Sequence, residues 1–314
     1  MLSRHAEGLF WIGRYVERAS DITRMLDVAY DVQMERPPSA REAVWRDLLD
    51  VLYINDQFVD HHDTATTETI NRFLVLDGDN PVSVASSIVS ARTNIMNVRD
   101  VVPIELLESI NRLHTLFASG ELGAELETNT HAGYHMVATH CRTISGAMFD
   151  SMARTDGYRF MMLGRYLERA EMTCRTIEVT RSVAPTDDAA WRAVLRSVSG
   201  LHAFTQLHGA LAEVDEVVRF LLMDRDFPYS VLHCLSECAS QLSIVSTTGT
   251  WQSPRMVGRV KAEIEFSDVP SVETSALAEL VARLEVGIRD ASQAFHDDLY
   301  QFGGDATLHS FEAL

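Results

Sequence analysis

GRYVERA at residues 13–19 returns as GRYLERA at residues 164–170, identical at six of seven positions. The surrounding stretch, LFWIGRYVERASDITRMLDVA (residues 9–29), places Leu9, Ile12, Val16, Ala19, Ile22 and Leu26 at spacings of three and four. That is the apolar stripe of an amphipathic helix, and the second copy repeats it. Two matching helices 151 residues apart predict a chain written twice.

Two further pairs extend the match. WRDLLDVL from Trp45 answers WRAVLRSV from Trp191, and RFLVLDGDNPVSV from Arg72 answers RFLLMDRDFPYSV from Arg219 with eight of thirteen positions identical. The offsets run 151, 146 and 147, so the order is collinear with one shortened loop. Units of about 150 residues are too long for a solenoid, whose repeats run to about 20–50. The expectation is a single domain over 1–314, built from repeats 1–152 and 153–314 related by a pseudo-twofold.

Helical periodicity dominates each half, with five or six helices expected and no sheet. Short β-branched runs such as SIVS do not alternate over a strand's length. Asp79 or Asn80 before Pro81, and Asp226 before Pro228, read as helix starts, and Pro37, Pro38, Pro103, Pro185 and Pro270 punctuate the gaps. The fold class is all-α, a helical bundle.

Composition narrows function. With 46% hydrophobic residues, 314 residues can bury a large core. A net charge of -18 opposes a nucleic-acid backbone. The N-terminal residues lack a signal-peptide pattern and no run of about 18 apolar residues occurs, so a cytoplasmic protein without a membrane span is expected. Cys141, Cys174, Cys234 and Cys238 form no CxxC and read as reduced, mostly buried thiols.

On the polar side of the repeated helix, Arg14, Glu17, Asp21 and Arg24 share one stripe, with Arg18 between it and the core edge. A solvated face is the plain reading. The copies weaken it: Asp21 has become Met172 and Ser20 has become Glu171, while Arg, Tyr, Glu and Arg persist. One use for the persistent residues is structural, with Glu17 meeting Arg165 or Arg169 and Glu168 meeting Arg14 or Arg18 across the pseudo-twofold. The other is a site where converging guanidiniums hold a carboxylate or phosphate. Both stand at this stage.

Enzyme templates are missing: there is no GxxxxGKS, GxGxxG or HExxH. His131 and His135, with His140 and Cys141 nearby, lack a further ligand at defined spacing, so no metal or cofactor is expected. Cys234 and Cys238 read as packed helix residues, and His61, His62 and Asp63 as a solvated stretch.

The series LSRxAxxLFWxGRYxERA, FLxxDxxNPxSV, ARxN and GxxxxxMxRxxGYRFxxLGRYLERA resembles the bacterial alpha-E family of helical domains named for a Glu-Arg motif, over Met1 to Val183 and by the repeat beyond. The resemblance implies a circularly permuted ATP-grasp protein as partner, often with a transglutaminase-like peptidase nearby, and a role in ATP-driven amide or peptide bond formation. A non-catalytic partner of such a ligase is the leading expectation; an enzyme transferring or hydrolysing an acyl or aminoacyl group at the Glu-Arg site is the alternative. The family motif points to Glu17 with Arg18, to Glu168 with Arg169, and to Arg92, Asn94 and Arg99, with Asn111 downstream. At the 147 offset Arg92, Asn94 and Arg99 correspond to Ala239, Gln241 and Ser246, so the second half lacks both arginines. A site kept by one half and drift on an exposed helix both account for that.

Overall fold

Apolar residues repeated every three to four positions can be buried together only on a helix, and the computed structural model, which describes residues 2–209, 213–246 and 250–309, is helical from end to end. Residue 1 and residues 310–314, the ends of the expected 1–314 span, lie outside the described residues. The first eight helices are α1 (Ser3–Glu35), α2 (Arg41–Val51), α3 (Asn55–Val59), α4 (Thr67–Ile70), α5 (Val84–Asn97), α6 (Ile104–Ala118), α7 (Glu121–Thr128) and α8 (Thr130–Ser151). The next seven are α9 (Asp156–Val183), α10 (Asp188–Ser197), α11 (Leu201–His208), α12 (Val214–Met223), α13 (Val231–Val245), α14 (Ser253–Glu265) and α15 (Ser275–His309). No strand occurs among the described residues.

This is more helices per half than the five or six expected. The surplus consists of one- and two-turn pieces such as α3 and α4, too short to leave a periodic signal. The expected starts at Pro81 and Pro228 are also corrected. α5 begins at Val84 with Ser83 as cap, and α13 at Val231 with Ser230 as cap; each serine accepts from the backbone N–H three residues on, at 2.9 and 3.0 Å. Asn80 instead braces the loop, donating to Phe73 O and accepting from Val82 N–H.

Long helices make the centre. α1 packs most extensively against α9, with α5 and α8 beside α1, and α13 and α15 beside α9. All six apolar residues of the α1 stripe are buried, and Trp45 and Trp191 sit fully inside one continuous core. Tyr53 and Ser199, each just beyond α2 and α10, are the two non-glycine residues with positive φ among the described residues, both at 56°. Cys141, Cys174, Cys234 and Cys238 are free and buried. No described helix is long and apolar enough to cross a membrane.

Candidate functional site

The repeated heptapeptides face each other. A Cβ on Gly13 would lie 2.0 Å from Met161 O, and one on Gly164 would lie 2.0 Å from Phe10 O, so the backbones of α1 and α9 touch where both glycines stand. Close approach of the two helices then brings short-range pairs between them within reach.

Each motif glutamate is held by two arginines of the other helix. Glu17 Oε1 accepts from Arg169 Nε at 2.6 Å, and Arg165 Nε lies 2.8 Å from Glu17 Oε2. Glu168 Oε2 accepts from Arg14 Nε at 2.6 Å, while Arg18 reaches Oε1 at 2.6 Å through Nε and Oε2 at 3.1 Å through Nη2. The solvated-stripe reading fails here: Arg14, Glu17 and Asp21 are buried, as are Glu168 and Arg169. A charge stripe at helical spacing looks the same whether it meets water or a matching stripe.

Burial pushes both glutamates up, but the paired guanidiniums outweigh it. Arg165 and Arg169 leave Glu17 lowered to about 2, and Arg18 and Arg14 leave Glu168 lowered to about 2. Both are therefore carboxylates at neutral pH. Asp21 goes the other way: burial, opposed by Arg24, raises it to about 7.

Beyond this reciprocal core the two sides differ. Arg14 also pairs with Glu171 at 2.6 Å and donates to Ser292 Oγ at 3.1 Å, and Glu171 pairs with Arg175. Arg165 has Ser20 where Arg14 has Glu171, and its Nη1 is buried with no hydrogen-bond partner among the described residues. Arg169 stacks 3.9 Å over the Tyr229 ring and donates to Pro228 O, whereas Arg18 is partly exposed. Gly13, Gly164, Glu171 and Ser292 join the network without being among the residues the sequence points to. The glycines had a signal, since both copies carry them in the motif.

The other expected residues lie apart from this network. Arg92 Nε donates to Asn111 Oδ1 at 3.0 Å, Asn94 Nδ2 donates to Ser90 O at 3.0 Å, and exposed Arg99 lies 3.7 Å from Asp100. The ARTN segment therefore joins Arg92 to Asn111 on α6, and none of its hydrogen bonds or ion pairs reaches the Glu-Arg network. His131 on α8 pairs with Asp27 at 2.7 Å. No group of three His, Cys, Asp or Glu suited to a metal ion comes together among the described residues.

A centre of arginine-paired carboxylates can be a clamp or an acid–base site. A family model described as a predicted alpha-helical domain with a conserved ER motif matches residues 1–299. An uncharacterised protein of Mycobacterium tuberculosis and another of Mycobacterium bovis are each 22% identical to the chain over 323 residues, covering 90% of it and 35% of their own length. The chain thus spans about a third of the curated relatives it matches. No solved structure matches it.

Proposed function

Since the chain belongs to the Alpha-E family, we propose that it serves as the non-catalytic helical partner of a circularly permuted ATP-grasp ligase, organising that complex or presenting its substrate for amide or peptide bond formation. One observation carries the non-catalytic part. Glu17 and Glu168, the acidic members of the motif, are each neutralised by two arginines and lowered to about 2, so neither is a useful proton acceptor near neutral pH. Arg14, Arg18 and Arg169 each donate to a motif glutamate, and Arg165 lies beside Glu17 as an ion pair. A clamp of this kind fixes how α1 and α9 pair, at a desolvation cost that a merely stabilising apolar contact would not carry.

The longer relatives support a modular role, because they hold a matching unit beside further sequence. The partner reading places the chain in the cytoplasm, where ATP is available, with a transglutaminase-like peptidase as a second associate. Nucleic acid is no part of it, given a net charge of -18.

The same reading takes the architecture as two tandem repeats related by a pseudo-twofold between α1 and α9. Supporting it are correspondences at the sequence offsets: Gly13 with Gly164, the caps Ser83 with Ser230, and the positive-φ residues Tyr53 with Ser199. Ser292, which receives Arg14, stands at the place of Ser145, which lines a small pocket with Arg165. Asn94, close to the site of a Cβ on Gly8, stands at the place of Gln241, which accepts from Arg159.

The test is co-expression with the ATP-grasp protein, recovery of the complex, and mass analysis of anything carried along. The expected result is a stable complex, and no turnover by the purified chain alone with ATP, amino acids or peptides. Turnover by the isolated chain that Glu17→Gln abolishes would replace this reading with the acyl-transfer enzyme.

A further inference from the structure

A second region departs from regular structure in one half only. Asn71–Leu76, continuing α4, is a π-helical turn, a rare geometry that recurs at functional sites. At the 147 offset the same place falls inside α12, an ordinary α-helix. Within the π turn, Asn71 Oδ1 accepts from the buried Tyr134 hydroxyl at 2.5 Å. The corresponding residues of the second half are Val218 and Val281, both buried. The first half thus keeps a buried polar pair where the second has plain apolar packing.

Asn71 of that pair borders a cleft of about 550 Å³ between α1, α4, the π turn and α7, within the size range of small-ligand sites. Gln33 lines it, is only 4% exposed, and its side-chain amide makes no hydrogen bond among the described residues. Asn71, 6% exposed, has its oxygen engaged by Tyr134 but its Nδ2 donates to no described group. The free atoms of both amides are not sealed from solvent but open onto the cleft, so their spare hydrogen-bonding capacity is available to a polar partner seated there. Both signs of charge surround them: Arg41 and Arg72 on one hand, Glu68 and Glu127 on the other. Leu126 and Leu76 add apolar surface.

The geometry points to this cleft as a binding site for a short peptide with free termini, its backbone amide bonded by Gln33 and Asn71 and its charged ends met by the rim. A peptide group offers a donor and an acceptor in one plane, which is what a side-chain amide complements. A lone anion would meet Glu68 and Glu127, and a lipid chain would leave the two amides unsatisfied. The cleft is separate from the Glu-Arg clamp, and the inference does not depend on the ATP-grasp partner.

Calorimetric titration of the full chain with tetra-alanine tests it. The expected result is saturable one-site binding, weakened about tenfold by Gln33→Met and by the double change Asn71→Val with Tyr134→Phe, as for the loss of hydrogen bonds in a desolvated site. The double change Arg41→Ala with Arg72→Ala, made at the rim where Arg41 donates to Arg36 O at 3.3 Å and Arg72 holds an exposed pair with Glu68 at 3.7 Å, should weaken binding of the free-ended peptide and leave its C-terminally amidated form unaffected. Absence of saturable binding by the wild-type chain, equal affinity for free alanine, or indifference to the rim change would each overturn the proposal.

Discussion

Glu17 and Glu168 are the residues on which the motif turns, because each pairs with two guanidiniums that the fold has largely withdrawn from water, Arg18 being the most exposed of the four. Removing the charge at Glu17 leaves Arg165 and Arg169 without a paired carboxylate among the described residues, whereas Arg14 keeps Glu171 when Glu168 is changed. Glu17→Gln should therefore lower stability by about 3–5 kcal/mol in denaturant unfolding, far beyond a surface change. The same pairs set a pH dependence. A carboxyl lowered from 4.5 to about 2 on folding contributes stability that is fully present above about 4.5 and is lost as pH falls through about 2. Asp21 acts with the opposite sign: raised from 3.8 to about 7, it contributes stability below 3.8 that is lost as pH rises through about 7. Melting temperature followed between these limits should fall steeply on the acid side, and Asp21→Asn should flatten the decline toward neutral pH without altering the acid limb. These roles were half legible in the sequence. Duplication marked which charges matter, but whether a stripe of Arg and Glu meets water depends on a partner helix more than a hundred residues away.

At the level of elements, what brings the charges together is the pair of glycines. With only 2.0 Å between a Cβ added at either position and the facing carbonyl oxygen, an alanine there fits only if a whole helix moves. Gly13→Ala or Gly164→Ala should each cost about 3 kcal/mol or more, even though alanine favours an isolated helix. Equilibrium unfolding measures this, and a stabilising outcome would mean the helices are not in backbone contact. The long helices were readable because their apolar stripes persist for many turns. Short helices and true starts were not: Pro81 and Pro228 look like first-turn residues, whereas Ser83 and Ser230, each a little further along the chain, do the capping, and only the path of the preceding loop decides between them.

For the whole molecule, the all-α class was legible from periodicity, while a surface for the proposed partner was not, since one chain carries no record of what touches it. Arg99 offers a way in. It is exposed and its nearest acid is the adjacent Asp100, so Arg99→Ala should cost about 0.5 kcal/mol or less. If the first-half arginine segment serves the partner, recovery of the ATP-grasp complex should nevertheless drop; unchanged recovery would assign the asymmetry between the halves to drift. The claim beneath all of this is that the Glu-Arg motif is a buried clamp joining α1 to α9. A double-mutant cycle on Glu17→Gln and Arg169→Met, read by denaturant unfolding, tests it most directly. The clamp predicts a coupling energy of about 2 kcal/mol or more, because the pair shares a 2.6 Å bond away from water. Effects that add to within about 0.5 kcal/mol would contradict it.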